Sequence, residues 1–295
     1  MRGAAITIDV DSLRFYRKIH GLAPVPESED PVYSLAVPRF FQLIGELGVP
    51  ATLFLVGQDA PRYATQFAAA RGLGAEIGNH SFRHDFRLAT LSREAIRSDV
   101  EEAHRALLPL TPDGNINGFR APGYNTSPAL LEAVADLKYS YDSSRLPSPL
   151  YFAGRAAAIG AYSLLGRPSQ ALVGKWKAFS GSLQPHREGT LVELPMSCEP
   201  ASRLPLIGTV IPLLPAQIRR LLVSRAVRAL KYFVFEMHAI DLLDSSEVAS
   251  DLASAQRDLK VSVARKMSSF QQLFSQLKQE CTLMTLRDIA RAEAP

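Results

Sequence analysis

The chain has 295 residues, 47% of them hydrophobic, and its 33 Lys and Arg against 29 Asp and Glu give a formal net charge of +4. That is enough apolar material for one α/β barrel-sized core or two smaller ones. The basic residues are scattered apart from a cluster at Arg219, Arg220, Arg225, Arg228 and Lys231, with no basic stripe interleaved with aromatics, which argues against a nucleic-acid partner.

The first strand is predicted at Ala4 to Ile8. Asp9 and Asp11 interrupt this apolar opening before it reaches signal-peptide length, so a cytoplasmic protein is expected. No run approaches the roughly 18 apolar residues that cross a bilayer. Val37 to Leu47 reads as a helix with Phe40, Phe41, Ile44 and Leu47 on one face and Gly48 as its stop. Strands follow at Ala51 to Val56 and Ala75 to Gly78, with a helix at Ala60 to Arg71 between them. A helix opens at Ser92, capped by its hydroxyl. Then come a strand at Gly118 to Arg120, a helix from Ser127 to about Leu137 and a strand near Tyr139 to Tyr141. This alternation predicts βαβ units around a parallel sheet.

Ser143 to Gly189 breaks the rhythm with Pro147, Pro149, Pro168 and Pro185 and reads as a loop insertion within one domain spanning residues 1–295. Thr190 to Leu194 resumes as a strand. Leu204 to Pro215 is apolar but broken by prolines, Ala216 to Leu230 is a basic amphipathic helix, Tyr232 to Met237 a buried strand, and Ser250 to Lys278 one long helix. The tail is a last strand running into a helix capped by Thr285. Two cysteines, Cys198 and Cys281, are too few for a disulfide framework and are expected as buried thiols.

Four groups of residues carry chemistry. Asp9 and Asp11, two apart at a strand end, project from one face and resist ionising together unless a cation compensates them. His80 and His84 have the spacing that places two imidazoles on one side of a helical turn. Asp11, His80 and His84 make a one-carboxylate, two-imidazole metal set that leaves a position open for water, as a hydrolytic site requires. Arg120 can pair with Asp9 and keep it ionised as a base, and the Pro122-Gly123 turn can aim the Tyr124 amide at a developing oxyanion. His238, ending an apolar strand, is a candidate acid for a leaving amine. Each of these groups follows a predicted strand, and in a barrel such ends converge on one rim.

With Asp9-Val10-Asp11, His80-Ser81-Phe82-Arg83-His84, Arg120-Ala121-Pro122-Gly123-Tyr124 and Met237-His238 in this order, the chain resembles the polysaccharide deacetylases, the NodB-homology carbohydrate esterases, in their Asp-x-Asp branch. The resemblance implies a distorted (β/α) barrel with extended loops. It implies Asp9 as base, Asp11, His80 and His84 as ligands of one divalent metal (zinc first, with Co, Fe or Mn also fitting), Arg120 tethering the base, Tyr124 offering its amide and His238 as acid. Asp142, in Tyr141-Asp142-Ser143-Ser144, is expected to orient His238. The implied activity is removal of an N-acyl group, acetyl above all, from an amino sugar of a polysaccharide, glycolipid or lipid-linked saccharide. The alternatives are a deformylase or deacetylase of a lipid-linked sugar at a membrane surface, a hydrolase of small cyclic amides, and a sugar-binding module without catalysis. Peripheral contact of the 204–231 segment with the inner face of a membrane belongs to the lipid-linked alternative.

Overall fold

The computed structural model describes residues 2–24, 30–111, 113–164 and 181–294. Its frame is a nine-stranded sheet in the order β6-β7-β5-β4-β3-β2-β1-β8, with β9 (Thr282–Leu283) pairing at the start of β1. The strands are β1 Gly3–Val10, β2 Thr52–Leu55, β3 Glu76–Asn79, β4 Gly118–Phe119, β5 Tyr141–Asp142, β6 His186–Glu188, β7 Leu191–Glu193 and β8 Tyr232–His238. All neighbours run parallel except the β6–β7 pair. This curled mixed sheet is the expected distorted barrel. β1 is buried along its whole length, which is why it reads as an almost unbroken apolar run rather than an alternating one.

Helices cover the outside. Among the described residues they are α1 Leu13–Ile19, α2 Val37–Leu47, α3 Ala64–Gly72, α4 Arg93–Leu107, α5 Pro128–Asp136, α6 Pro149–Leu164, α7 Ala216–Ala229, α8 Ser250–Ala255, α9 Val263–Glu280 and α10 Leu286–Ala292. α2 packs Phe40 and Ile44 into the same core cluster as Phe235 on β8 and Phe270, Phe274 and Leu277 on α9. Each such side chain contributes about 1.5–3 kcal/mol on burial. Gly48 at φ +58° ends α2, as its position past the last apolar residue predicts. The Ser92 and Thr285 caps form as expected, accepting from the Ala95 and Asp288 amides.

Two expectations are corrected. The long helix expected over Ser250 to Lys278 is two helices joined by a 3-10 turn at Arg257–Lys260. Gln256 turns extended, Leu259 is buried in the core and the Ser262 hydroxyl caps a fresh start. The stretch expected as loops over Ser143 to Gly189 holds helix α6 and strand β6; its residues 165–180 lie outside the described residues. The apolar segment Leu204 to Pro215 is largely core: Leu206, Ile207 and Ile211 are buried and Leu213 is exposed. Cys198 is buried and Cys281 half-buried, both as free thiols. Among the described residues no helix is long and apolar enough to cross a membrane.

Candidate metal centre and active site

The parallel strands point their C-terminal ends to one side, and the sequence-predicted residues gather there. Asp9 and His238 are register partners on β1 and β8, as are Thr7 and Glu236. Side chains two apart on a strand share a face, so Thr7, Asp9, Glu236 and His238 form a small patch. Asp11 follows β1, His80 follows β3 and Arg120 follows β4.

Asp11, His80 and His84 are all buried, and they converge. Asp11 Oδ1 lies 3.3 Å from His80 Nε2 and 3.1 Å from His84 Nε2, and the two Nε2 atoms are 3.2 Å apart. Their geometry does not come from a helix. The chain from 80 to 87 is bends and turns, with Ser81 at φ +66° and His84 at φ +50°. The spacing foretold the meeting of the rings, but left-handed residues rather than a helical turn produce it. Asp99, on α4, fixes this segment by accepting the Phe82 amide at 2.8 Å and the Arg83 amide at 3.3 Å. Asn79 Oδ1 accepts the Ser81 amide.

His80 Nδ1 is 2.7 Å from the Arg120 carbonyl, which can only accept, so Nδ1 carries a proton and, in the neutral ring that binds a metal, Nε2 presents the lone pair. Asp11 Oδ1 has no hydrogen-bond partner although it is buried. Lone pairs facing one another in a dry site repel unless a cation lies among them. Donor atoms about 3 Å apart are also what bonds of roughly 2.0–2.2 Å to a shared ion impose. The three residues therefore fit one divalent metal. Burial alone would raise the Asp11 carboxyl, but His84 and His80 outweigh it and hold it well below the ordinary range. Burial lowers His84, which sits between the rings of Phe15 and Phe86 at centroid distances of 4.3 and 5.0 Å.

Arg120 is fully buried. Its Nη1 donates to Asp9 Oδ1 at 2.7 Å and to Thr7 Oγ1 at 2.8 Å, while Nε and Nη2 donate to the Ser143 carbonyl and hydroxyl. Its guanidinium lies 4.2 Å over the Phe54 ring. Gly78 makes that possible, because a Cβ there would come within 2.7 Å of the Phe54 ring. The pairing leaves Asp9 Oδ2 buried without a partner, 3.8 Å from His80 Nε2.

His238 is held by a residue that sequence reasoning missed. Its Nδ1 lies 2.9 Å from Glu236 Oε1, and its Nε2 lies 3.8 Å from Asp11 Oδ2. Burial alone would lower His238, yet the Glu236 carboxylate, then Asp11 and Asp9, raise it well above its ordinary value. Glu-x-His on a buried strand was the available signal, since the alternation puts both on one face. Asp142, expected in that role, is elsewhere: it accepts the Ser144 hydroxyl at 2.6 Å and is the register partner of the buried Glu193 on β7. It ends β5, and its carboxyl faces Ser144 and Glu193 rather than the patch that β1 and β8 share. The Tyr124 amide, expected to face an oxyanion, donates to the Ala121 carbonyl at 3.1 Å and closes its own turn. The Tyr124 hydroxyl instead donates to Glu236 at 3.1 Å.

A cavity of about 210 Å³ opens onto Asp11, His84 and His238. Its walls are mainly apolar and aromatic, with Phe15, Phe86 and Tyr124 on one part and Tyr151, Arg155 and Ile159 of α6 on another.

Residues 29–141 match the family model for polysaccharide deacetylase, a stretch that contains His80, His84, Arg120 and Tyr124. A segment of 99 residues is 29% identical to a chitooligosaccharide deacetylase from Sinorhizobium fredii, covering 32% of this chain and 43% of that protein's length. A candidate polysaccharide deacetylase from Mycobacterium smegmatis has a similar crystal structure, with a TM-score of 0.60 at 16% identity over 98% of this chain and 89% of that one. A family 4 acetyl xylan esterase from Clostridium thermocellum, solved with a cobalt ion, superposes with a TM-score of 0.53 at 16% identity over 100% of this chain and 93% of that one. At these identities the two structures speak for the fold alone.

Proposed function

We propose that this chain, which belongs to the polysaccharide deacetylase family, is a metal-dependent amide hydrolase that removes an N-acyl group, acetyl above all, from an amino sugar. The observation that carries the reading is the convergence of Asp11, His80 and His84 between the Asp9–Arg120 pair and the Glu236–His238 pair.

Asp11, His80 and His84 would hold the metal, with zinc suiting one carboxylate and two imidazoles best and Co, Fe or Mn also compatible. When bound there, a divalent metal supplies Lewis-acid polarisation and makes water more acidic. Asp9 serves as base through Oδ2, the oxygen that Arg120 leaves free, and takes a proton from the attacking water. Arg120 fixes the carboxylate through Oδ1 and leaves Oδ2 aimed into the site. His238, whose protonated form the Glu236 carboxylate favours, presents Nε2 toward the same space and gives its proton to the departing nitrogen as the C–N bond breaks. Its positive charge also stabilises negative charge developing on the acyl oxygen. Tyr124 enters by holding Glu236 through its hydroxyl.

The test combines metal analysis of the purified protein with a screen for acetate and formate release from free, nucleotide-linked and lipid-linked N-acyl sugars. Asp9→Asn should retain metal and lower turnover by about 10²–10⁴-fold, the range of a lost general base. His80→Ala should lose metal. Wild-type turnover in Asp9→Asn would sink the base assignment.

A further inference from the structure

The face that α6 lays over the cavity consists of Tyr151, Arg155, Ala158 and Ile159, the spacing of one helical stripe. Three of the four are what an apolar or aromatic wall needs. Arg155 is not, and among the described residues it is the one guanidinium or ammonium lining this cavity. Its Nη1 donates to the Gly123 carbonyl at 3.1 Å. Among the described residues no carboxylate comes within ion-pair distance of it, in contrast to Arg120 and to Arg145 nearby. A guanidinium carries five donors, so most of those of Arg155 remain for another acceptor.

Its position is also built. Gly123 has φ +63°, and a Cβ at that residue would lie 3.1 Å from Arg155 Nη2 and 3.0 Å from the Phe86 ring. The turn that follows Arg120 thus uses a glycine where the guanidinium closes on the backbone, and it offers that guanidinium a carbonyl to lean on. A half-buried cation beside aromatic walls is costly to keep for a neutral ligand and useful for an anionic one. A planar fork matches carboxylate and phosphate oxygens in pairs.

We infer that the cavity takes an N-acyl amino sugar bearing an anionic group, a phosphate or a carboxylate, and that Arg155 selects it. This rests on the function proposed above and narrows its substrate class. The anion could be a sugar phosphate, the phosphate of a lipid-linked sugar or a uronic carboxylate, and the test separates these.

Equilibrium binding would be measured on full-length, metal-loaded Asp9→Asn, which is silenced for turnover. The ligands are N-acetylglucosamine, its 1-phosphate, a short-chain polyprenyl phosphate-linked N-acetylamino sugar and an N-acetylated amino uronic acid. At least one anionic ligand should bind about tenfold or more tightly than the neutral sugar, as a charged hydrogen-bonded contact implies. The preferred one names the source of the anion. Adding Arg155→Gln should bring that ratio close to one, and Arg155→Lys should leave an intermediate ratio, because charge remains without the fork. Equal binding of neutral and anionic ligands by the Arg155 protein would overturn the inference, as would an unchanged ratio in Arg155→Gln. Failure of the parent reading is seen separately, as a wild-type enzyme that releases no acyl group from any of the four.

Discussion

Glu236 and His238 stand two residues apart on one face of β8, with Glu236 Oε1 2.9 Å from His238 Nδ1. The strand itself therefore supplies both the imidazole and the carboxylate that orients it. Burial would pull the imidazole down, and the carboxylate more than reverses this, raising His238 well above its ordinary value and favouring its protonated form. A general acid must be protonated to act, and its pKa sets the alkaline limb of the rate profile. Glu236→Gln removes the largest of the raising charges, so that limb should move to lower pH and turnover at pH 8 should fall, by at most the about 10²–10⁴-fold that a general acid contributes. Glu236→Asp should restore part of both. A pH–rate profile with an unmoved alkaline limb would refute this.

Arg120 is expected to matter for folding as well as for chemistry. It is the buried counter-charge of Asp9 and the donor to Ser143 and Thr7, tying β4 to β1 and to the end of β5. Removing one partner of a buried pair leaves the other uncompensated, at a cost of about 3–5 kcal/mol. Arg120→Ala should therefore lose stability on that scale in chemical denaturation. The double variant Arg120→Ala with Asp9→Asn should recover a good part of it, since the orphaned charge is gone. If the double variant were as unstable as the single one, the charge account would be wrong and packing over Phe54 would carry the effect.

The strands and the residues at their ends were legible because period and punctuation are local. β1, β2, β3 and β8 stand where apolar runs end at Asp9, Val56, His80 and His238. Asp11, His80, His84, Asp9, Arg120 and His238 announce themselves by residue type and order. Glu236 does not, because a Glu inside an apolar strand is noticed only once its neighbour is known to need a partner. Asp142 misled for the complementary reason: it ends a strand on the same side of the sheet, and sequence gives no lateral distance. Asp99 carried no signal at all. It is an acidic residue on a charged helix, and only the fold brings it under the Phe82 and Arg83 amides. The break of the 250–278 helix depends likewise on burial of Leu259, which periodicity alone does not reveal.

Asp99 gives a prediction that separates ligand placement from ligand identity. Its carboxylate holds two successive amides between His80 and His84, in a segment that includes two left-handed residues other than glycine. Left without that anchor, the segment has more conformations to lose on binding an ion. Asp99→Ala should weaken metal affinity by about 10–100-fold, the usual effect of losing an outer partner, with all three ligands intact. Competition with a chelator measures it. Asp99→Asn keeps one acceptor and should lie between. An affinity unchanged in Asp99→Ala would mean that Asn79 and the Ser81 hydroxyl, which accepts the His84 amide, suffice.

Asp142 and Glu193 form a buried carboxyl pair on neighbouring strands, and their titration should be visible in stability rather than in turnover. Burial raises Asp142, and burial together with the Asp142 charge raises Glu193 well above its ordinary value. Both folded values lie above the unfolded ones of 3.8 and 4.5. The folded chain therefore binds protons more tightly than the unfolded chain, and the stability this gives is full at low pH and lost as pH rises through the folded values. Asp142→Asn removes one of the two charges. Its Oδ1 can still accept the Ser144 hydroxyl, and its Nδ2 can donate to Glu193. The variant should be more stable than the parent at pH 8, by about 1 kcal/mol or roughly 2–4 °C in melting temperature, and the gain should vanish near pH 4. Its deacylation rate should stay near the wild-type value, because the carboxylate that orients His238 is Glu236. A large loss of turnover with an unchanged melting temperature would return the orienting role to Asp142.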